Sequence, residues 1–251
     1  MTASDWNAIY VIWLREIKRY WREKPRVITS VFQPILWLFI MGVGIGSSIN
    51  TVNSEQSYLQ FIFPGIISMT LLFSAMNSGI SIVWDKEFGF MREILVSPVR
   101  RGAIIVGKML AGSSIAMVQG IVVLCFAPII GISLSPVIGL LTVLKMFVVA
   151  LSLSTIGIFI GCRVGSFHSY PLISNFIIMP MFFLSGAMFS LDIVPLWMIW
   201  LSRINPMSYG VDFIRQGLMP TGGSVKLDLV ILLLTALIMA AAASRVLNKP
   251  E

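Results

Sequence analysis

The spacing Gly102-Ala-Ile-Ile-Val-Gly107-Lys108 matches a phosphate-binding loop. Such a loop cradles phosphates with exposed backbone N–H groups, and the residue after its lysine supplies a hydroxyl to Mg²⁺. Here that residue is Met109, the intervening side chains are bulky and apolar, and the stretch opens a long apolar run. It reads as the start of a membrane helix, not a nucleotide site. The sequence has no G-x-S-x-G and no H-E-x-x-H. Its single histidine, His168, has no Cys or His at ligand spacing, so no metal site is expected. Cys125 and Cys162 lie in separate apolar segments and read as structural thiols. None of the 11 acidic residues falls centrally in an apolar run, which argues against a proton-coupled carrier or an intramembrane hydrolase. The expectation is a non-enzyme that binds no cofactor of its own.

The chemistry that remains is recognition. Residues 85–101, DKEFGFMREILVSPVRR, form the most charged segment after the N-terminus. Asp85 can cap a short helix. Glu87, Arg92 and Glu93 give that helix a charged face beside Phe88, Phe90, Met91, Ile94 and Leu95, and Pro98 ends it ahead of Arg100 and Arg101. Such a segment either floats in the membrane interface or docks into a partner, with apolar residues filling a cleft and charges fixing register. Within the apolar runs stand Gln33, Asn77, Gln119, Asn175 and Lys145. The carboxamides serve either interhelical hydrogen bonds or a transport pathway. Lys145 either snorkels to the interface or meets an anionic group. Asn77, Gln119 and Lys145 are the pathway candidates.

The elements that position these groups follow from composition. Of 251 residues, 57% are hydrophobic and 12% charged, about half the charged share usual in a soluble domain. A globule of this size cannot hide that much apolar surface from water, so the solvent is largely lipid. Apolar runs at about 27–49, 58–84, 104–130, 137–161, 169–188 and 227–247 are each near the roughly 20 residues a span requires. Ahead of them, Trp6, Ile9, Tyr10, Trp13, Ile17, Tyr20 and Trp21 fall on one helical face, with Arg15, Lys18, Arg19 and Arg22 over much of the rest. That pattern predicts an amphipathic helix over 1–26 lying in the headgroup layer, not crossing it. Residues 189–225 contain Ile193–Ile204, apolar but too short to span, punctuated by Pro195 and Pro206. They read as a re-entrant or interface-lying helical hairpin. Gly42/Gly46 and the series Gly157, Gly161, Gly165 offer close-packing seams.

With six spans, fourteen of the 18 Lys and Arg residues collect on the side of both termini and of 85–101. Arg203, Arg215 and Lys226 lie on the other side, and Lys145 is inside. The positive-inside bias puts both termini in the cytoplasm. The net charge of +7 then points to anionic lipid headgroups, not to nucleic acid.

The chain resembles the membrane permease of type-2 ATP-binding cassette exporters, the group of drug, Nod-factor and polysaccharide exporters. The resemblance covers nearly the whole length. It rests on the pattern E-x-G-x-x-x-E-x-L-x-x-S-P at Glu87, Gly89, Glu93, Leu95, Ser97 and Pro98, and on Leu184-Ser185-Gly186 leading to Pro195, Trp197 and Asn205-Pro206. It implies that 85–98 is the coupling helix contacting a separate cytosolic ATPase subunit, with the N-terminal helix at the same interface. It also implies a unit of two permeases and two ATPases in the inner (cytoplasmic) membrane of a bacterium or archaeon, with ATP and Mg²⁺ held by the partner. The other classes open to an all-α integral membrane chain are a stand-alone secondary transporter or channel, and a membrane scaffold or assembly factor.

Overall fold

A computed structural model describes residues 3–49, 58–91, 99–191, 194–219 and 223–248, with side chains at all of these except 3–4, 26, 31, 41–49 and 248. Arg92, Glu93, Leu95, Ser97 and Pro98 lie outside the described residues, and Gly42 and Gly46 outside the described side chains. Among the described residues every regular element is helical.

The helices are α1 (Ala3–Arg22), α2 (Lys24–Ile49), α3 (Tyr58–Met76), α4 (Ile80–Glu87), α5 (Arg101–Leu124), α6 (Pro136–Arg163), α7 (Ser169–Phe183), α8 (Leu196–Ile204), α9 (Pro206–Leu218) and α10 (Val225–Asn248). A 3₁₀ turn at Asn77–Gly79 joins α3 to α4 into one apolar rod, Tyr58–Glu87, and another at Ala127–Ile130 extends α5. Four rods are long and apolar enough to cross a membrane: Tyr58–Glu87, Arg101–Ile130, Pro136–Arg163 and Val225–Leu247. The first and fifth predicted runs form shorter apolar helices, Val27–Ile40 within α2 and α7 itself. At 15 residues α7 is about 22 Å long, short of a hydrocarbon layer of about 30 Å. It stops at Phe183 because the chain turns through Leu184–Gly186, where Gly186 takes φ +73°, a conformation L side chains rarely adopt.

α3 is apolar on all sides and buried from Ile62 almost without interruption to Met76, as a helix without a polar face must be. Around it pack α2, α5, α6 and α9. The tightest seam is glycine-built. A Cβ on Gly157 would run into the Met76 carbonyl, and one on Gly161 into that of Gly79, while Gly165 faces open space. The Tyr170 hydroxyl donates to the Met76 carbonyl and, at 3.2 Å, to that of Gly157, which pins α7 to the same joint.

α1 differs from the sequence expectation. Trp6, Tyr10 and Trp21 do remain outward, 62%, 58% and 57% exposed. The buried face, however, is Asp5, Ile9, Ile12, Glu16 and Tyr20, packed lengthwise along α5. Gly107 permits the approach: a Cβ there would sit 3.0 Å from that of Ile12. The Trp13 indole N–H donates to Ser114 Oγ at 3.1 Å. Two acids sit on the buried face because opposite charges on the facing elements meet them.

Candidate coupling face and polar cavities

Those charges form a compact cluster at one end of the bundle. Lys108, 1% exposed on the second turn of α5, lies 2.6 Å from Asp85 Oδ2 on α4 and 3.2 Å from Glu16 Oε1 on α1. Its third partner is Ser81 Oγ at 3.0 Å. Arg15 Nη2 reaches the same two carboxylates at 2.7 and 2.8 Å. Two cations and two anions cancel, which is the condition under which buried charge is tolerated. Burial pushes the Glu16 carboxyl upward, but Lys108 and Arg15 outweigh it and hold the group below the usual carboxylate value. Burial likewise opposes the Arg15 charge, and Glu16 and Asp85 overcome it and raise its pKa.

This cluster relocates two sequence readings. Asp85 does not cap a separate short helix. It lies within α4, 3% exposed, and its carboxylate is taken up by Arg15 and Lys108. Lys108, dismissed as part of a false phosphate loop, is the buried centre of the cluster, and Gly102–Lys108 forms the opening turns of α5. Neither Glu16 nor Ser81 stands out by spacing or local charge in the sequence. The available signal was a lysine eight residues into a largely apolar helix, which requires an acidic partner somewhere.

Just beyond the cluster α4 ends at Glu87 and the chain reverses through Gly89 at φ +79°. Phe88 and Phe90 project at 64% and 53% exposure, while Met91 turns inward against Ile82 and Ile105. The Glu87 carboxylate accepts from the Phe167 backbone N–H at 3.1 Å. Arg100 lies 3.8 Å from the buried carboxylate of Asp5, and the Arg101 guanidinium donates to the Leu247 carbonyl. Arg19 stacks over Trp84 at 4.5 Å; Lys18 and Arg22 are exposed.

Two cavities adjoin this region. One, of about 290 Å³, is lined by Glu16, Tyr20, Ser78, Trp84, Lys108 and Phe167. The other, of about 140 Å³, lies between α2, α3 and α5 and is lined by Gln33, Trp37, Thr70, Phe73, Ser74 and Gln119. Asn77, on the 3₁₀ turn, lines both. Gln119 donates to the Tyr20 hydroxyl at 2.9 Å. The structure thus brings Asn77 and Gln119 together and leaves Lys145 elsewhere, its ammonium 5.0 Å from the Phe213 ring. Asn175 is exposed on α7.

At the far end, α8 exposes Leu196, Trp197, Trp200 and Ile204. α9 is buried through Met207, Val211 and Ile214. Asn205 joins them: its side chain accepts from the Met207 N–H at 3.0 Å and donates to the Met181 carbonyl at 2.7 Å. Arg215 donates to the Gly186 carbonyl at 3.0 Å and stacks over Phe61, which holds the turn after α7 to α9.

Residues 7–219 match the family described as ABC-2 type transporter. The chain belongs to that family. ABC-2 relatives include the inner membrane transport permease YadH of Escherichia coli K12, 30% identical over 218 residues, covering 84% of this chain and 83% of the relative. The transport permease ycf38 of Cyanophora paradoxa is 28% identical over 197 residues, 77% of this chain and 68% of the relative. Nodulation protein J of Rhizobium leguminosarum bv. viciae is 23% identical over 213 residues, 84% and 79%. As an ABC-2 transporter, the chain is a multi-pass membrane transport subunit, and its family generally works with cytosolic ATPase subunits.

Proposed function

We propose that this chain is the permease of an ATP-driven exporter, forming the translocation pathway as a homodimer and driven by two copies of a separate cytosolic ATPase subunit. ATP and Mg²⁺ belong to that partner. All six apolar helices, including the shorter α2 and α7, are counted as spans; both termini and residues 85–101 face the cytoplasm. α8 and α9 form the outer hairpin, and α1 lies at the cytosolic interface.

The observation that carries this reading is the exposed Phe88–Gly89–Phe90 tip, set on a base clamped by Lys108, Asp85, Glu16 and Arg15. An aromatic tip suits a partner's cleft. Its rigid base carries a push at the tip into α1, α4 and α5 together. ATP-driven closure of the paired ATPases then moves these helices and opens the pathway between the two permeases. Arg92, Glu93, Leu95, Ser97, Pro98, Arg100 and Arg101 complete the docking segment.

The test is copurification. The tagged chain, expressed in its native host and extracted in mild detergent, is expected to bring down an ATP-binding cassette ATPase with ATP-hydrolysing activity. Permease that purifies free of ATPase overturns the reading.

A further inference from the structure

The two cavities meet at Asn77, and their polar groups are unevenly served. In the smaller one, Thr70 donates to the Ile66 carbonyl and Gln119 to the Tyr20 hydroxyl. The side chains of Gln33, Ser74 and Asn77 find no hydrogen-bond partner among the described residues. In the larger one Ser78 Oγ is buried and also without a partner. Gln33 and Asn77 are exposed and Ser74 half-buried, and all three line open space of the smaller cavity. The space is flanked by rings: Trp37 and Phe73 in the smaller cavity, Trp84 and Phe167 in the larger. The smaller cavity has no ionisable lining residue; the larger one is lined by Glu16, Arg19, Glu23 and Lys108, which pair as Glu16–Lys108 and Arg19–Glu23. A volume of 140 Å³ is close to the roughly 150 Å³ that holds one benzene-sized ring.

We infer that each copy of the chain carries its own binding site, centred on Asn77 within one protomer, for an uncharged ring compound with hydrogen-bonding substituents. The ring sits between Trp37 and Phe73, and its amide or hydroxyl groups pair with Asn77 and Gln33. As a statement about substrate, this rests on the export reading; as a binding site it does not, because no ATPase is needed to measure it.

The experiment uses the full chain in phosphatidylcholine nanodiscs and bromine quenching of tryptophan. Three probes separate the sources of the chemistry: 4-bromobenzamide, 4-bromophenyl glucoside and the anion 4-bromobenzoate. Saturable quenching by at least one neutral probe is expected, and it disappears in Trp37→Phe. The neutral probe that quenches identifies an aromatic amide or a sugar ring as the source. Asn77→Leu is expected to weaken binding about tenfold, the size of one lost hydrogen bond to a buried partner. Gln33→Leu, on an exposed position of α2 that folding does not require, weakens it in the same direction. Equal quenching by 4-bromobenzoate, quenching that survives Trp37→Phe, or affinities unchanged in both leucine variants overturns the site. So does the absence of saturable quenching by either neutral probe. Copurification with the ATPase is a separate measurement, so loss of one leaves the other standing.

Discussion

Lys108 Nζ on α5 and Asp85 Oδ2 on α4 stand 2.6 Å apart, and both residues are almost wholly buried. Together with Glu16 and Arg15 they tie the N-terminal helix to the two helices that flank residues 88–100. A close buried pair is more informative about coupling than about stability, since isosteric apolar residues often do as well. Here it joins α1, α4 and α5 at one point.

Removing one member leaves a buried charge without compensation. Lys108→Met is expected to cost about 3–5 kcal/mol. The double variant Lys108→Met/Asp85→Leu keeps only the Arg15–Glu16 pair and should lose less than the single variant. Thermal unfolding of the purified chain measures both. A double variant less stable than Lys108→Met contradicts the pairing.

The same cluster sets an acid limit. The folded pKa of Glu16 is below its usual 4.5, so ionised Glu16 stabilises the fold fully above that value. The contribution is lost as pH falls through the lower, folded pKa. A melting series from neutral pH downward should therefore show a decline starting near 4.5 and continuing below it. Glu16→Gln should remove this component, and a series with the same decline in that variant would assign the loss to other carboxylates.

At the glycine seam, Gly161→Ala forces a methyl into the Gly79 carbonyl, and backbone cannot yield as a flexible side chain can. Overpacking of this kind costs about 1–3 kcal/mol or more. Gly165→Ala meets nothing within 4 Å and serves as the control. Size-exclusion profiles and melting midpoints should separate the two clearly.

The exposed tip gives the opposite signature. Phe90→Ser removes an aromatic that is 53% exposed, so stability should change by no more than about 0.5 kcal/mol. ATPase recovery with the permease should fall severalfold. A stable variant that retains its ATPase and hydrolysis rate removes Phe90 from the docking surface.

Lys145 lies against Phe213 and outside both cavities. Lys145→Met should keep substrate-stimulated ATP hydrolysis within about twofold, as expected of a half-buried lysine whose ammonium faces a ring away from the pathway. A tenfold loss would return it to the pathway.

Much of the architecture was legible in the residue pattern. Low charge with long apolar runs dictates helices in lipid, because only hydrogen-bonded helices and closed barrels satisfy the backbone there. The asymmetry of Lys and Arg is the ground for the proposed orientation, and the 85–101 segment stands out because so few charges occur elsewhere. Periodicity also marks α1 as amphipathic, but not which face is buried. The aromatic stripe predicts the headgroup-facing side, while the face buried along α5 is Asp5, Ile9, Ile12, Glu16 and Tyr20.

The tertiary structure decided what depends on distant partners. Glu16 and Lys108 are 92 residues apart, and Arg15 and Asp85 are 70 apart. No local spacing encodes such pairings; they exist only once α1 docks along α5 at Gly107. The same docking turned Lys108 from the end of a false phosphate loop into a neutralised core charge, and Asp85 from a presumed cap into its partner. Folding also sorted the intramembrane polar residues: Asn77 and Gln119 share a cavity, and Lys145 does not. Sequence determines which groups are too costly to leave in lipid. Only the packed chain decides which of them are satisfied by protein and which are left open to a ligand.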